Sequence, residues 1–119
     1  MGSILIADDD KTCRDSIQKV LEREGHSVQT ADCVDRALDT LKGNHFDLVV
    51  CDYRMHGKIG IDLLIELRRQ DSTVPVLMIS AFADALVEAA VKRLGGLDIL
   101  KKPIRRQELV ARTAEVVGG

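Results

Sequence analysis

The chain has 119 residues, 45% of them hydrophobic and 30% charged, with a formal net charge of −2, the size and balance of one globular domain with its own core. No apolar run approaches the ~20 residues of a membrane span, and no basic segment followed by an apolar one stands at the start, so the expectation is a single cytoplasmic domain over residues 1–119. Aromatic residues at 3% leave almost nothing on which bases could stack, which argues against direct nucleic-acid binding. Cys13, Cys33 and Cys51 are odd in number and lack a CxxC pair, and His26, His45 and His56 make no ligand spacing with them, so disulfides and structural zinc are not expected.

In chain order, Ile4-Leu5-Ile6-Ala7 is a continuous apolar run that stops abruptly at Asp8-Asp9-Asp10. Cys13, Ile17, Val20 and Leu21 then recur at helical spacing up to Gly25. Ser27-Val28-Gln29-Thr30 alternates as an edge strand does. Val34, Ala37, Leu38 and Leu41 predict a second helix, stopped by Gly43-Asn44. Leu48-Val49-Val50-Cys51 is again continuously apolar and stops at Asp52. A third helix follows over Ile61, Leu64 and Ile65. Val76-Leu77-Met78-Ile79 ends at Ser80, before a fourth helix over Leu86, Val87, Ala90, Val91 and Leu94 with Gly95-Gly96 behind it. Asp98-Ile99-Leu100, short and flanked by charge, leads into Lys101-Lys102, and Leu109, Val110, Thr113, Ala114 and Val117 mark the last helix.

Five strand–helix alternations without linker or repeat predict an α/β fold with a parallel sheet. Continuous apolar strands are buried on both faces and belong in the centre, while the alternating second strand and the short fifth belong at the edges. With right-handed crossovers the result is a doubly wound (βα)5 three-layer sandwich of strand order 2-1-3-4-5, flavodoxin-like, with its switch point between strands one and three. Ligand sites of such sheets lie at the carboxyl ends of the strands. That edge collects Asp8, Asp9, Asp52, Ser80 and Lys102.

Carboxylates crowded into one cleft repel each other unless a cation joins them, and magnesium, with its preference for carboxylates, water and phosphate oxygens, answers that need. Asp9 and Asp52 are expected as direct ligands, with Asp8 acting through water. Asp52, alone at its strand end, is the candidate nucleophile toward a phosphoryl group. Lys102, Ser80 and the metal would then each engage one phosphoryl oxygen.

Together and in order, Ile6-Ala7-Asp8-Asp9-Asp10, Val49-Val50-Cys51-Asp52-Tyr53-Arg54-Met55, Gly60, Ile79-Ser80-Ala81 and Lys102-Pro103 resemble a response-regulator receiver domain of two-component signalling, over essentially the whole chain. The resemblance implies Asp8 and Asp9 as the acidic pair, Asp52 as phosphoacceptor, Ser80 as the hydroxyl switch residue, Lys102 as the lysine and the backbone carbonyl of Arg54 as a further Mg2+ ligand. It also implies a cis bond before Pro103. Asp52-Tyr53-Arg54-Met55 with Gly60-Ile61-Asp62-Leu63-Leu64 is similar to receivers of AAA+ transcription activators of the nitrogen-regulation class. The implied function is a phosphorylation-activated switch, not an enzyme apart from catalysing its own phosphorylation and dephosphorylation. Its implied partners are a sensor histidine kinase or phosphotransfer protein and an output domain or protein at the face of the fourth helix, fifth strand and fifth helix. That face could also carry a phosphorylation-dependent dimer. Lys92, Arg93, Lys101, Lys102, Arg105, Arg106 and Arg112 concentrate positive charge in this part of the chain, as a solvated surface or as a contact for an acidic partner.

Two positions depart from the pattern. His56 stands where many relatives carry proline, and reads as a solvated loop residue or, if it reaches Asp52, as an influence on acyl phosphate lifetime. Ile99 replaces a tyrosine or phenylalanine that turns inward on activation, so the aromatic coupling to Ser80 is not expected, although a shift of the fourth helix and fifth strand still is. Phe82, at a position where relatives vary, reads as simple packing or, together with Arg54, as a shield of the acyl phosphate from water. Among other functions, an aspartyl phosphatase of the haloacid-dehalogenase kind needs an acid where Arg54 stands. A nucleotide or flavin module needs glycine where the acids of the first loop stand. A receiver-like interaction module that works without phosphorylation is the remaining alternative.

Overall fold

The computed structural model describes residues 2–81 and 84–118. Strands and helices alternate as β1 (Ser3–Ala7), α1 (Lys11–Arg23), β2 (Ser27–Ala31), α2 (Val34–Leu41), β3 (Leu48–Asp52), α3 (Gly60–Arg69), β4 (Val76–Ser80), α4 (Ala85–Arg93), β5 (Ile99–Lys101) and α5 (Arg106–Val117). All strand pairs are parallel, in the order β2-β1-β3-β4-β5. The predicted order therefore holds. β3 and β4 are buried along their whole length, whereas β2 is largely exposed, as an edge strand should be.

Because side chains alternate across a strand, the sheet divides its apolar residues between two cores. Leu5, Ala7, Val49, Cys51, Val76 and Met78 face one side, where Val34, Ala37, Leu63, Leu64, Leu67 and Val91 from α2, α3 and α4 cover them. Ile4, Ile6, Leu48, Val50, Leu77, Ile79 and Leu100 face the other, against Ile17 and Leu21 of α1 and Leu109 of α5. The three layers of the predicted sandwich are these two helix layers and the sheet between them.

Two helices bury different residues than the spacing predicts. In α3 the inner face is carried by Leu63, Leu64 and Leu67, and Ile65 is exposed. In α4 only Val91 is fully buried, and Leu86 is 83% exposed. The last strand starts one residue later than predicted, at Ile99, whose N–H is taken by the Asp98 carboxylate at 2.9 Å. Gly25, Gly43 and Gly95 take positive φ just past the helix ends, where a left-handed residue closes the last turn.

One side chain ties three segments together. The guanidinium of Arg68, in the last turn of α3, donates to the carbonyls of Ser72 at 2.8 Å, Leu94 at 2.7 Å and Gly95 at 3.1 Å, and more loosely to Val74. These carbonyls belong to the α3–β4 connection and the C-terminal end of α4, where the helix leaves its own carbonyls without partners. Arg68→Ala should cost about 2 kcal/mol in urea unfolding, since several charge-assisted bonds go at once. Arg68→Lys should recover little of it, because an ammonium cannot span a fork of separated acceptors.

Candidate functional site

Four strand ends meet at one edge of the sheet. Asp8 follows β1 directly, Asp52 closes β3, Ser80 closes β4, and Lys102 follows the last residue of β5. The register aligns them: Ala7 lies beside Cys51, Asp52 beside Ile79, and Ser80 beside Lys101. The loop backbones are fixed as well. Asp8 N–H donates to the Ala31 carbonyl at 3.1 Å, Tyr53 N–H to that of Ile79 at 2.7 Å, and Lys102 N–H to that of Ser80 at 2.9 Å. Arg14 of α1 donates to the Asp8 carbonyl at 2.8 Å.

Asp8, Asp9 and Asp52 each bring a carboxylate oxygen within 4.8 Å of the others. Asp8 is 1% exposed and Asp52 5%. Lys102 Nζ lies 3.0 Å from Asp52 Oδ2 and 3.7 Å from Asp8 Oδ2. Burial pushes the Asp52 carboxyl up to about 6. The hydrogen bond from Lys102 pulls it down and the charge of Asp8 pushes it up again. For Lys102, burial pulls the ammonium down, but the hydrogen bond and charge of Asp52 and the charge of Asp8 outweigh it, so the net direction is upward.

Asp8 Oδ2 is buried and, among the described residues, has no hydrogen-bond partner. With only the Lys102 ammonium at 3.7 Å as counter-charge, this oxygen beside two further carboxylates is costly unless more positive charge joins it. The donor set is all oxygen and hard, which suits magnesium. The cluster thus fits a small divalent cation, and Asp8, Asp9 and Asp52 are the residues that could hold it.

Asp10 is not part of this cluster. Its side chain accepts from the N–H of Thr12 at 3.0 Å and of Cys13 at 3.4 Å, capping α1, while its own N–H donates to Asp8 Oδ1 at 2.9 Å. Arg54 has an exposed side chain, and its backbone N–H points to Asp52 Oδ1 at 3.4 Å. Ser80 is 1% exposed at the floor of the site. The Lys102–Pro103 bond is cis, as the resemblance implies. Cys13 lies half-buried beside the cluster, its thiol pushed up to about 12 by burial and by the neighbouring Asp8 carboxylate. Ile99 is partly buried and packs on the core shared by α2, α3 and α4. Phe82 lies outside the described residues.

His56 is the solvated loop residue of the first reading, and its ring approaches Asp9 instead of Asp52. Its ring is 98% exposed, yet Nδ1 lies 2.6 Å from Asp9 Oδ2, and its backbone N–H donates to the same oxygen at 2.8 Å. It reaches Asp9, 47 residues away, in place of Asp52. No local pattern signals a contact of that span.

Residues 4–114 match the family model for the response regulator receiver domain. The chain belongs to that family. Among curated relatives, this receiver is 36% identical over 110 residues to the transcriptional regulatory protein FixJ of Bradyrhizobium diazoefficiens, covering 92% of this chain and 54% of that protein. It is 38% identical over 117 residues to the transcriptional regulatory protein CpxR of Escherichia coli, covering 98% and 50%. The chain thus spans about half the length of the curated relatives it matches. Among solved structures, the receiver domain of the Francisella response regulator 1452 superposes with a TM-score of 0.93 at 30% identity, covering 99% of this chain and 98% of that one. NtrX from Brucella abortus superposes with a TM-score of 0.89 at 29% identity, over 98% of this chain and 27% of that one. Receivers are signalling switches of two-component systems, generally without enzymatic activity of their own, and hold Mg2+ at an aspartate cluster of this kind. They work with histidine kinases and output domains. No helix among the described residues is long and apolar enough to cross a membrane.

Proposed function

We propose that this chain is one receiver unit that accepts a phosphoryl group on Asp52 from a phosphohistidine of a sensor kinase or phosphotransfer protein. The observation that carries the reading is the convergence of Asp8, Asp9 and Asp52 on a single point, with Lys102 already paired to the acceptor at 3.0 Å. An Asp52 oxygen attacks phosphorus, and the P–N bond to the donor imidazole breaks as the acyl phosphate forms. Asp8, Asp9, Asp52 and the Arg54 carbonyl would hold Mg2+, which when bound supplies positive charge to the phosphoryl oxygens. Lys102 moves from the Asp52 carboxylate to one phosphoryl oxygen, and the Ser80 hydroxyl donates to another. A cleft of about 590 Å³ beside the cluster gives the donor room, walled by Cys13, Ile17, Ala81, Pro103 and Ile104.

Engagement of Ser80 and Lys102 pulls on the ends of β4 and β5, and so on the α4–β5–α5 face that would meet an output domain or a second copy. That face displays Leu86 and the exposed Arg93, Lys101 and Arg105. Arg112 is already paired with Asp98 at 2.9 Å, and Arg106 turns to Glu24, just past the end of α1, at 3.8 Å. The free basic surface is therefore smaller than the charge count suggests.

Incubation with acetyl phosphate and magnesium, read by intact mass beside Asp52→Asn and a metal-free control, tests the reading. One added base-labile phosphoryl group that requires both Asp52 and the metal is the expected result. No gain in mass, with no magnesium binding, would favour an interaction module that works without phosphorylation.

A further inference from the structure

A single residue of α1 brackets Asp9. The guanidinium of Arg14 donates to the Asp8 carbonyl at 2.8 Å, and the backbone N–H of Arg14 donates to the Asp10 carbonyl at 2.9 Å. The second bond is the ordinary first turn of a helix. The first is required by no helix. Among the described residues Arg14 forms no salt bridge, although three acids precede its helix. A cation one turn into α1 also stands near the positive end of the helix dipole, an unfavourable place. What it finds there is the Asp8 carbonyl.

The consequence lies in the peptide unit between Asp8 and Asp9. A peptide is planar, so the Asp8 carbonyl and the Asp9 N–H turn together. Asp8 N–H is fixed on the Ala31 carbonyl at 3.1 Å, and Asp8 Oδ1 takes the Asp10 N–H at 2.9 Å. Those bonds hold the chain on either side of the unit, and Arg14 holds the unit itself. Its rotation changes ψ of Asp8 and φ of Asp9, the angles that decide where the Asp9 carboxylate lies relative to that of Asp8. Asp8, Asp9 and Asp52 bring carboxylate oxygens within 4.8 Å of one another, and like charges so close press the loop apart. A tether on this peptide opposes that pressure.

We propose that Arg14 is a positioning residue for the acid pair: by fixing the Asp8–Asp9 peptide it keeps the Asp9 carboxylate beside those of Asp8 and Asp52, and so raises the affinity of the cluster for magnesium. This rests on the reading of the cluster as the magnesium site. The charge of Arg14 works the other way, since a cation close to the cluster repels a second one. The two effects have opposite signs, and a neutral substitution separates them.

The test is a magnesium titration of the full chain at fixed pH and ionic strength, followed by amide chemical shifts, in the wild type, Arg14→Met and Arg14→Lys. Methionine is a good helix former that removes both donor and charge. Lysine keeps a donor for the one carbonyl. Arg14 is half-buried and lies outside the apolar face that Ile17 and Leu21 bury, and urea unfolding in chelator checks that each variant is folded. Arg14→Met should bind magnesium about tenfold more weakly, the scale of losing a group that orients a metal ligand. Arg14→Lys should recover most of that loss. Because the guanidinium bonds to Asp8 and not to the acceptor, saturating magnesium should return phosphoryl acceptance by Arg14→Met from acetyl phosphate to near the wild-type rate.

Unchanged or tighter binding by Arg14→Met would overturn the proposal, tighter binding leaving only the effect of charge. A lysine variant as weak as the methionine one would overturn it too, since the donor would then not be what matters. Acceptance that stays slow in saturating magnesium would place Arg14 in the transfer step and overturn the positioning role. Should Arg14→Met not fold, Arg14→Gln, neutral and shorter in reach, carries the same expectation. If the wild type binds magnesium and the neutral variant matches it, only this inference fails. If the wild type does not bind, the magnesium site of the functional reading fails with it.

Discussion

Gly60→Ala lowers the melting temperature by about 10 °C, and slows phosphoryl acceptance by more than the loss of folded protein accounts for. A Cβ on Gly60 would lie 2.5 Å from the carbonyl oxygen of Asp52, 2.8 Å from Met78 Sδ and 3.0 Å from Tyr53 Cα. The thioether can swing away. The two backbone atoms cannot move without carrying the acceptor with them. Gly60 N–H is also bonded to the Tyr53 carbonyl at 2.7 Å, so α3 cannot simply back off. Overpacking of this kind costs about 1–3 kcal/mol, and it falls on the residue whose carboxylate must be placed to a fraction of an ångström. Thermal unfolding together with the rate of mass gain in acetyl phosphate separates the two effects. A variant that melts lower but is phosphorylated at the wild-type rate when folded would show that Asp52 is not held by this contact.

Asp8→Asn acts in the opposite direction on stability. The wild-type carboxylate is buried, its Oδ2 lacks a hydrogen bond, and the carboxylates of Asp9 and Asp52 crowd it. The amide is isosteric and keeps an oxygen to accept the Asp10 N–H that Oδ1 now takes at 2.9 Å. Lys102 retains Asp52 at 3.0 Å as its nearer partner. Removing a buried charge that is poorly paired should stabilise the metal-free protein by about 1–2 kcal/mol, a gain obtained at the cost of function. Urea unfolding in chelator should show the gain. Saturating magnesium should stabilise the wild type and leave the variant unmoved, and acetyl phosphate should no longer add mass. A less stable Asp8→Asn protein in chelator would mean that the Asp8–Lys102 pair at 3.7 Å matters more than the repulsion.

Much of this was legible in the sequence because the relevant signals are local. Ile4–Ala7, Leu48–Cys51 and Val76–Ile79 are buried on both faces and so are continuously apolar, and each is stopped by the residue that enters the site. The helix faces were less legible where contrast is low. α4 carries Ala85, Leu86, Val87, Ala89, Ala90 and Val91 around most of its circumference, so spacing alone could not tell the exposed Leu86 from the buried Val91. In α3 the two consecutive leucines and Leu67 share the inner face, and Ile65, chemically their equal, does not. Contacts between distant segments left no trace. The hydrogen bonds of Arg68 end on carbonyls, which every residue has, and the bond from His56 to Asp9 crosses 47 positions.

Asp8, Asp9 and Asp10 are the same amino acid in succession, and the structure gives them three occupations. One lies buried with an oxygen that takes no hydrogen bond, one reaches across to a loop, and one closes the first turn of a helix. Their identity does not distinguish them. What does is their phase relative to the point where the strand ends and the helix begins. Deleting any one of the three yields the same shortened text, Asp-Asp, yet the chain must then give up either the cap or a member of the cluster. The shortened protein is one molecule whichever codon is lost, and it cannot keep all three tasks.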